Sequence, residues 1–253
     1  MVYSSLKGIP RDFREGVDWI LALKGSHPDV TLGMLADAVH RLLVRHPVGY
    51  TEIPALEKVK SVAQKFFEQK SFKHDPFAEM LLKRYNARMP KDPMGLAKSL
   101  KFYLESDYRN VIAAHDVRPQ RIAGRLRRVA DACERFLNDI KSADSYRSTY
   151  TSRATWDVSC AKDPETCAAI FVGIAPMLFT GLLYLMEADE YASRVERNYE
   201  VEKQLEDLLR SLGYGKPECK DRIDGPLFTV AVRDINDTIL DTLYDLAGFW
   251  AFY

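Results

Sequence analysis

CAAIFVGIAPMLFTGLLYLM, from Cys167 to Met186, is a run of twenty residues without a charge. As a helix it would be about 30 Å long, enough to cross a bilayer. The same composition suits a central helix that is apolar on every side because other helices surround it. The flanks favour the second reading. Asp163 is a natural N-cap, Pro164 fits the first helical position, and Glu165 complements the positive end of the helix dipole. The far end runs into Glu187, Asp189 and Glu190, and neither a Lys/Arg cluster nor a tryptophan belt marks an interface. Pro176 removes one backbone hydrogen bond in mid-segment and is expected to kink the helix, with Thr180 and Gly173 near the freed Val172 carbonyl. Membrane helices tolerate such a proline too, so it does not decide the matter. The rest of the chain does: its amphipathic helices each need an apolar partner, and a lone span would leave them none.

The chain has 253 residues, with 36 basic and 36 acidic side chains in balance. That length can bury a sizeable core. A neutral total argues against a generic nucleic-acid binder. MVYSSLKGIPRDF, at the start, has no apolar h-region of a signal peptide.

Read in order, the chain predicts helices over about 11–24, 31–45 with Thr31 as cap, 53–70, 76–86, 93–105 and a short one near 107–115. Arg118-Pro119 opens the clearest amphipathic segment, 119–142. Its Ile122, Leu126, Val129, Cys133, Phe136, Leu137 and Ile140 fall at helix-seam spacing. The polar stretch ADSYRSTYTSRAT, 143–155, is the best internal boundary. A short piece at 155–160 precedes the central helix, taken as 164–187. Further helices are expected at 191–212 and 234–251, with 216–233 the least regular region. The aromatic end FWAFY, 249–253, is expected to pack into core or to lead into something longer. The reading is all-α: a single helical domain over 1–253, eight to ten helices bundled around the apolar one, with a sub-boundary at 143–155.

The residues offer little chemistry. His27, His40, His46, His74 and His115 form no metal-ligand pattern. Glycine-rich phosphate loops and the GxSxG elbow are absent. The acidic pair Glu187 and Glu190 reads as solvated charge at a helix end, and no cofactor is expected. Cys133, Cys160, Cys167 and Cys219 allow three pairings that sequence cannot choose between. Buried thiols are the plain alternative, strongest for Cys133 on its apolar face. The short capped loop between Cys160 and Cys167 tilts the choice toward that pair. Arg121, Arg125 and Arg128 form one helical stripe, with Arg127 and Arg135 near it. The stripe could grip an acidic partner or be the solvated back of the seam. Asn236-Asp237-Thr238 reads as a glycosylation sequon or a helix cap.

Four strings carry a resemblance: EGVDWILALKG (15–25), PVGYTEIPALEKVK (47–60), ATWDVSCAKDPETCAAIFVGIAPMLFTGL (154–182) and LYDLAGFWAFY (243–253). Together they resemble a Babesia multigene family related to the variant erythrocyte surface antigens of these red-cell parasites. The resemblance covers nearly the whole chain and brings no active-site residues with it. It implies a non-enzymatic protein exported to the infected red-cell or parasite surface, serving antigenic variation, host-cell adhesion or binding of a host protein or cell-surface ligand. The longer surface antigens carry a signal peptide and an anchor that this sequence does not display, so the expectation is a truncated ectodomain or a soluble exported member. The alternative is an intracellular scaffold that binds an acidic partner through the arginine stripe.

Overall fold

The computed structural model describes residues 2–72, 75–99, 102–195, 199–220 and 223–253. Among these the chain is helical, with isolated backbone bridges joining Tyr3 to Tyr150 and Lys141 to Cys219. Asp-Pro and related starts nucleate the helices as capping chemistry requires. In order they are α1 (Phe13–Lys24), α2 (Pro28–Val44), α3 (Pro54–Phe67), α4 (Pro76–Asn86) and α5 (Pro93–Ser99). Then come α6 (Glu105–Tyr108), α7 (Val111–Ala114), α8 (Pro119–Ile140) and α9 (Trp156–Ser159). The last are α10 (Pro164–Arg194), α11 (Tyr199–Ser211), α12 (Gly225–Val232), α13 (Asp237–Leu246) and α14 (Phe249–Phe252). The Asp12, Asp75, Asp163, Asp224 and Asn236 side chains accept from backbone N–H groups in the first turns of α1, α4, α10, α12 and α13.

The apolar segment is the centre of the bundle. Its most apolar window of 18 residues has a mean hydropathy of 2.1, enough for a membrane span, yet 89% of that window is buried inside the protein. Helices α1, α2, α3, α12 and α13 pack around α10. Two glycines let neighbours approach closely. A Cβ at Gly173 would meet Val59 of α3 at 2.6 Å, and one at Gly181 would collide with the Phe13 ring of α1. On other sides Trp19 stacks on Phe171 with ring centroids 6.4 Å apart, and Phe179 meets both Phe77 and Tyr244. Each large apolar side chain enclosed this way contributes about 1.5–3 kcal/mol. The helix runs unbroken through Pro176, and Thr180 Oγ1 donates to the Pro176 carbonyl at 2.9 Å.

Several expected boundaries are corrected. Thr31 is not the cap of α2: the helix begins at Pro28, and the Thr31 hydroxyl donates back to the Lys24 and His27 carbonyls. The central helix does not stop at 187 but continues to Arg194, so residues 191–194 belong to it and not to the next helix. Its charged end is carried by the Glu190–Arg194 pair one turn apart, with Ser193 Oγ donating to the Glu190 carbonyl. The expected helix at 93–105 ends as α5, and residues 100–101 lie outside the described ones; so do 196–198 within the expected 191–212 helix and 221–222 within 216–233. The segment near 107–115 is two short turns, α6 and α7. The least regular region contains helix α12. The last helix is divided at Gly248, whose left-handed backbone (φ 68°) suits a residue without a Cβ.

Two polar arrangements hold chain segments to the bundle. In the stretch 143–155, buried Asp18 accepts from the Tyr146 hydroxyl (2.5 Å) and from the Thr149 backbone and hydroxyl (2.8 and 2.9 Å). At the aromatic end, every carbonyl from 249 to 253 has a donor. Lys91 Nζ donates to Phe249 and Tyr253, and Lys60 Nζ to Phe252, each at 2.6 Å. The Gly49 and Thr51 amides donate to Trp250 and Ala251 at 3.0 and 2.7 Å. Beneath this segment the Arg84–Asp107 ion pair is fully buried at 2.8 Å and shares the Tyr244 hydroxyl, with the Arg84 guanidinium over the Phe249 ring. The expectation of a packed aromatic end thus has a physical account: rings fill the core while two lysines and two amides satisfy the backbone.

Candidate functional site

The C-terminal half of α10 emerges from the wrapped core beside α4 and α13, and there the surface opens. Tyr184 of α10 donates to the Asp75 side chain at 2.5 Å, which pins the start of α4. The same Asp75 oxygen accepts from the Phe77 and Ala78 amides at 2.9 Å, so cap and tether are one residue. Phe77 leans on Phe179 at 5.4 Å, and Tyr244 of α13 meets Phe179 from the other side at 5.2 Å. Leu183 and Met186 follow Phe179 at helical spacing along the gap. The result is a cleft of about 860 Å³ with a floor of Phe77, Met80, Phe179, Leu183, Met186 and Leu240. Phe102 and Leu104 close one side, and Phe102 is 41% exposed.

The rim is charged and uneven. Four carboxylates, Glu79, Glu187, Asp237 and Asp241, face two amines, Lys83 and Lys98. Lys83 lies 3.5 Å from Glu79, one turn away on α4. On the opposite wall, no ion pair joins Glu187, Asp237 or Asp241 to a cation among the described residues. Partial burial lifts the Glu187 carboxyl above its ordinary range, and Asp75 and Glu190 add repulsion. Burial lifts Asp241 as well, with Asp237 one turn before it adding like charge and Arg125 offsetting part of the rise. Carboxylates raised in this way gain from a cation brought beside them. A smaller hollow of about 330 Å³, lined by Phe72, Tyr184, Tyr191, Leu205 and Leu208, shares Glu187 with the main cleft.

Such a site can enclose an apolar ligand surface and orient it by charge at the rim. Among the described residues its lining has no serine, threonine, cysteine or histidine. The sequence pointed elsewhere. Glu187 read as solvated charge, yet it stands where the two hollows meet. The signal was present in Phe179, Leu183 and Met186, whose spacing continues an apolar face beyond the point where charges begin. What the spacing could not give was the splaying of α4 from α13.

The residues singled out from sequence are dispersed. Cys160 and Cys167 form a disulfide that ties the turn after α9 to the first turn of α10, while Cys133 and Cys219 are buried free thiols. Burial pushes Cys133 up to about 12 and Cys219 up to about 11. Arg125 turns toward α13 and lies 3.5 Å from Asp245, whereas Arg121 and Arg128 are exposed. Arg127 pairs with Asp29 and Arg135 with Asp234. The arginine stripe is thus divided between internal ion pairs and solvent. Asn236 caps α13. His46 packs edge-on against Phe252, His115 meets Glu105 at 3.1 Å, and His74 lies outside the described residues. No cluster of metal-ligating side chains occurs among the described residues. No protein-family model, characterised protein or solved structure matches the chain.

Proposed function

We propose that the chain is a non-enzymatic helical binding module of an exported or surface-displayed parasite protein, and that its ligand site is the cleft between α4, α10 and α13. The observation that carries this reading is the cleft itself: about 860 Å³ of apolar-floored space, more than twice the volume of the neighbouring hollow. The resemblance to the Babesia surface-antigen family supports the host-facing location and the roles in adhesion or antigenic variation. The Cys160–Cys167 disulfide supports an oxidising compartment.

Two measurements test the proposal. Antibody labelling of intact infected red cells should detect the protein outside the parasite; a purely cytosolic location contradicts the reading. The purified protein should bind red-cell or endothelial surfaces, or a host serum protein, and Leu183→Glu should reduce that binding by placing a charge on the cleft floor. Binding that Leu183→Glu leaves unchanged would move the ligand site elsewhere on the bundle.

A further inference from the structure

The cleft also specifies the kind of ligand it takes. Its floor mixes aromatic rings with two methionines, Met80 and Met186, whose unbranched thioethers adapt to varied apolar surfaces. It is partly open to solvent, so a ligand can seat on its floor from the surface. Its charge is uneven: four carboxylates meet two amines, Lys83 and Lys98, and Lys83 already has Glu79 beside it. Among the described residues no ion pair joins Glu187, Asp237 or Asp241 to a cation, although Arg125 lies near enough to Asp241 to offset part of its charge. Asp237 and Asp241 are one turn apart on α13, and Glu187 faces the same space from α10. An anionic amphiphile would meet four carboxylates at this rim. A cationic one would relieve the repulsion between Asp237 and Asp241 and that between Glu187 and its acidic neighbours.

We propose that the cleft docks a basic amphipathic helix from a partner protein. The apolar face of that helix seats on Phe77, Phe179, Leu183 and Met186, and its lysines or arginines lie against Glu187, Asp237 and Asp241. This is helix-in-groove recognition, with anchors at helical spacing and charge fixing the direction in which the helix lies. The proposal rests on the reading of the cleft as the ligand site.

The test uses the full chain and a labelled leucine/lysine amphipathic helix of about 18 residues, five turns. Its leucine/glutamate counterpart and a scrambled leucine/lysine peptide serve as comparisons, with fluorescence anisotropy as the readout. The leucine/lysine helix should bind, with affinity falling as salt rises. The glutamate version and the scrambled peptide should bind at least about tenfold more weakly. The triple variant Glu187→Gln, Asp237→Asn, Asp241→Asn replaces surface charges with near-isosteres and should weaken the basic helix about tenfold and flatten its salt dependence. Leu183→Glu should weaken it separately. Equal binding of basic and acidic helices, or full affinity in the triple variant, overturns the inference. Absence of helix binding overturns it too. A neutral environment-sensitive dye then separates failure of helix docking from failure of the cleft as a ligand site. Dye binding that Leu183→Glu abolishes keeps the cleft as an apolar site with a different ligand, and no dye binding removes the cleft reading altogether.

Discussion

The two halves of α10 belong to one helix and meet different surroundings. From Cys167 to Leu182 every residue is buried, enclosed by α1, α2, α3, α12 and α13. From Leu183 onward one face of the same rod opens: Leu183 and Met186 line a cleft and Glu187 reaches solvent, while Tyr184 and Leu185 on the other face stay buried. The first half shows what an apolar segment does when enough amphipathic partners exist: small residues at Gly173 and Gly181 let neighbours close in until no lipid-like surface is left. The second half shows how the same helix comes to line an open cleft when partners stop meeting over it. Core packing and the proposed ligand recognition therefore fall on different lengths of one element.

That separation can be broken most severely in the wrapped half. Gly181→Val would drive two methyl groups into the Phe13 ring and should cost about 3 kcal/mol or more, read as a lower urea midpoint. A midpoint close to that of the parent would mean the helices are less tightly joined than described. The next effect concerns the anchor of that half. Removing the Cys160–Cys167 crosslink in a double alanine variant should cost about 2–3 kcal/mol, the loop-closure value for so short a loop. Mass spectrometry of the unreduced protein should find this one disulfide together with free Cys133 and Cys219. In the open half the same kind of insult should be mild. Met186→Glu should change stability by less than about 1 kcal/mol while impairing ligand binding. A large loss of stability there would show that the cleft floor is really core.

The smallest effect is a pH slope at the aromatic end. Partial burial, with Arg45 adding to it, holds His46 below the ordinary histidine range. The unfolded chain then binds its proton more readily than the folded one, so stability is complete above the ordinary histidine value and declines as pH falls through it. His46→Gln should flatten that segment of the stability–pH curve; an unchanged slope would place its origin in another group.

Much of the fold was legible because its signals are local. Asp75-Pro76, Asp163-Pro164 and Arg118-Pro119 announce helix starts through fixed backbone chemistry. The charge-free run of α10 announces a centre. What misled was equally physical. Charge at Glu187 to Glu190 suggested a helix end, but exposed residues need not end a helix whose other face still packs, so α10 continues to Arg194. Thr31 resembled a cap, although Pro28 had already begun the helix. Arg125 looked like one member of a solvent stripe because sequence cannot show that Asp245 of α13 waits opposite. The cleft was hidden for the same reason: it is a gap between α4 and α13, distant in sequence, and only their tertiary placement creates it.

Everything above depends on α10 being enclosed by its own chain in water. Hydrogen–deuterium exchange of the protein in aqueous buffer, without lipid or detergent, addresses it amide by amide. A block from about Cys167 to Leu182 should exchange only with global unfolding, with markedly faster exchange in the last turns toward Arg194. Rapid exchange along the whole helix, with protection gained only when lipid vesicles are added, would contradict it.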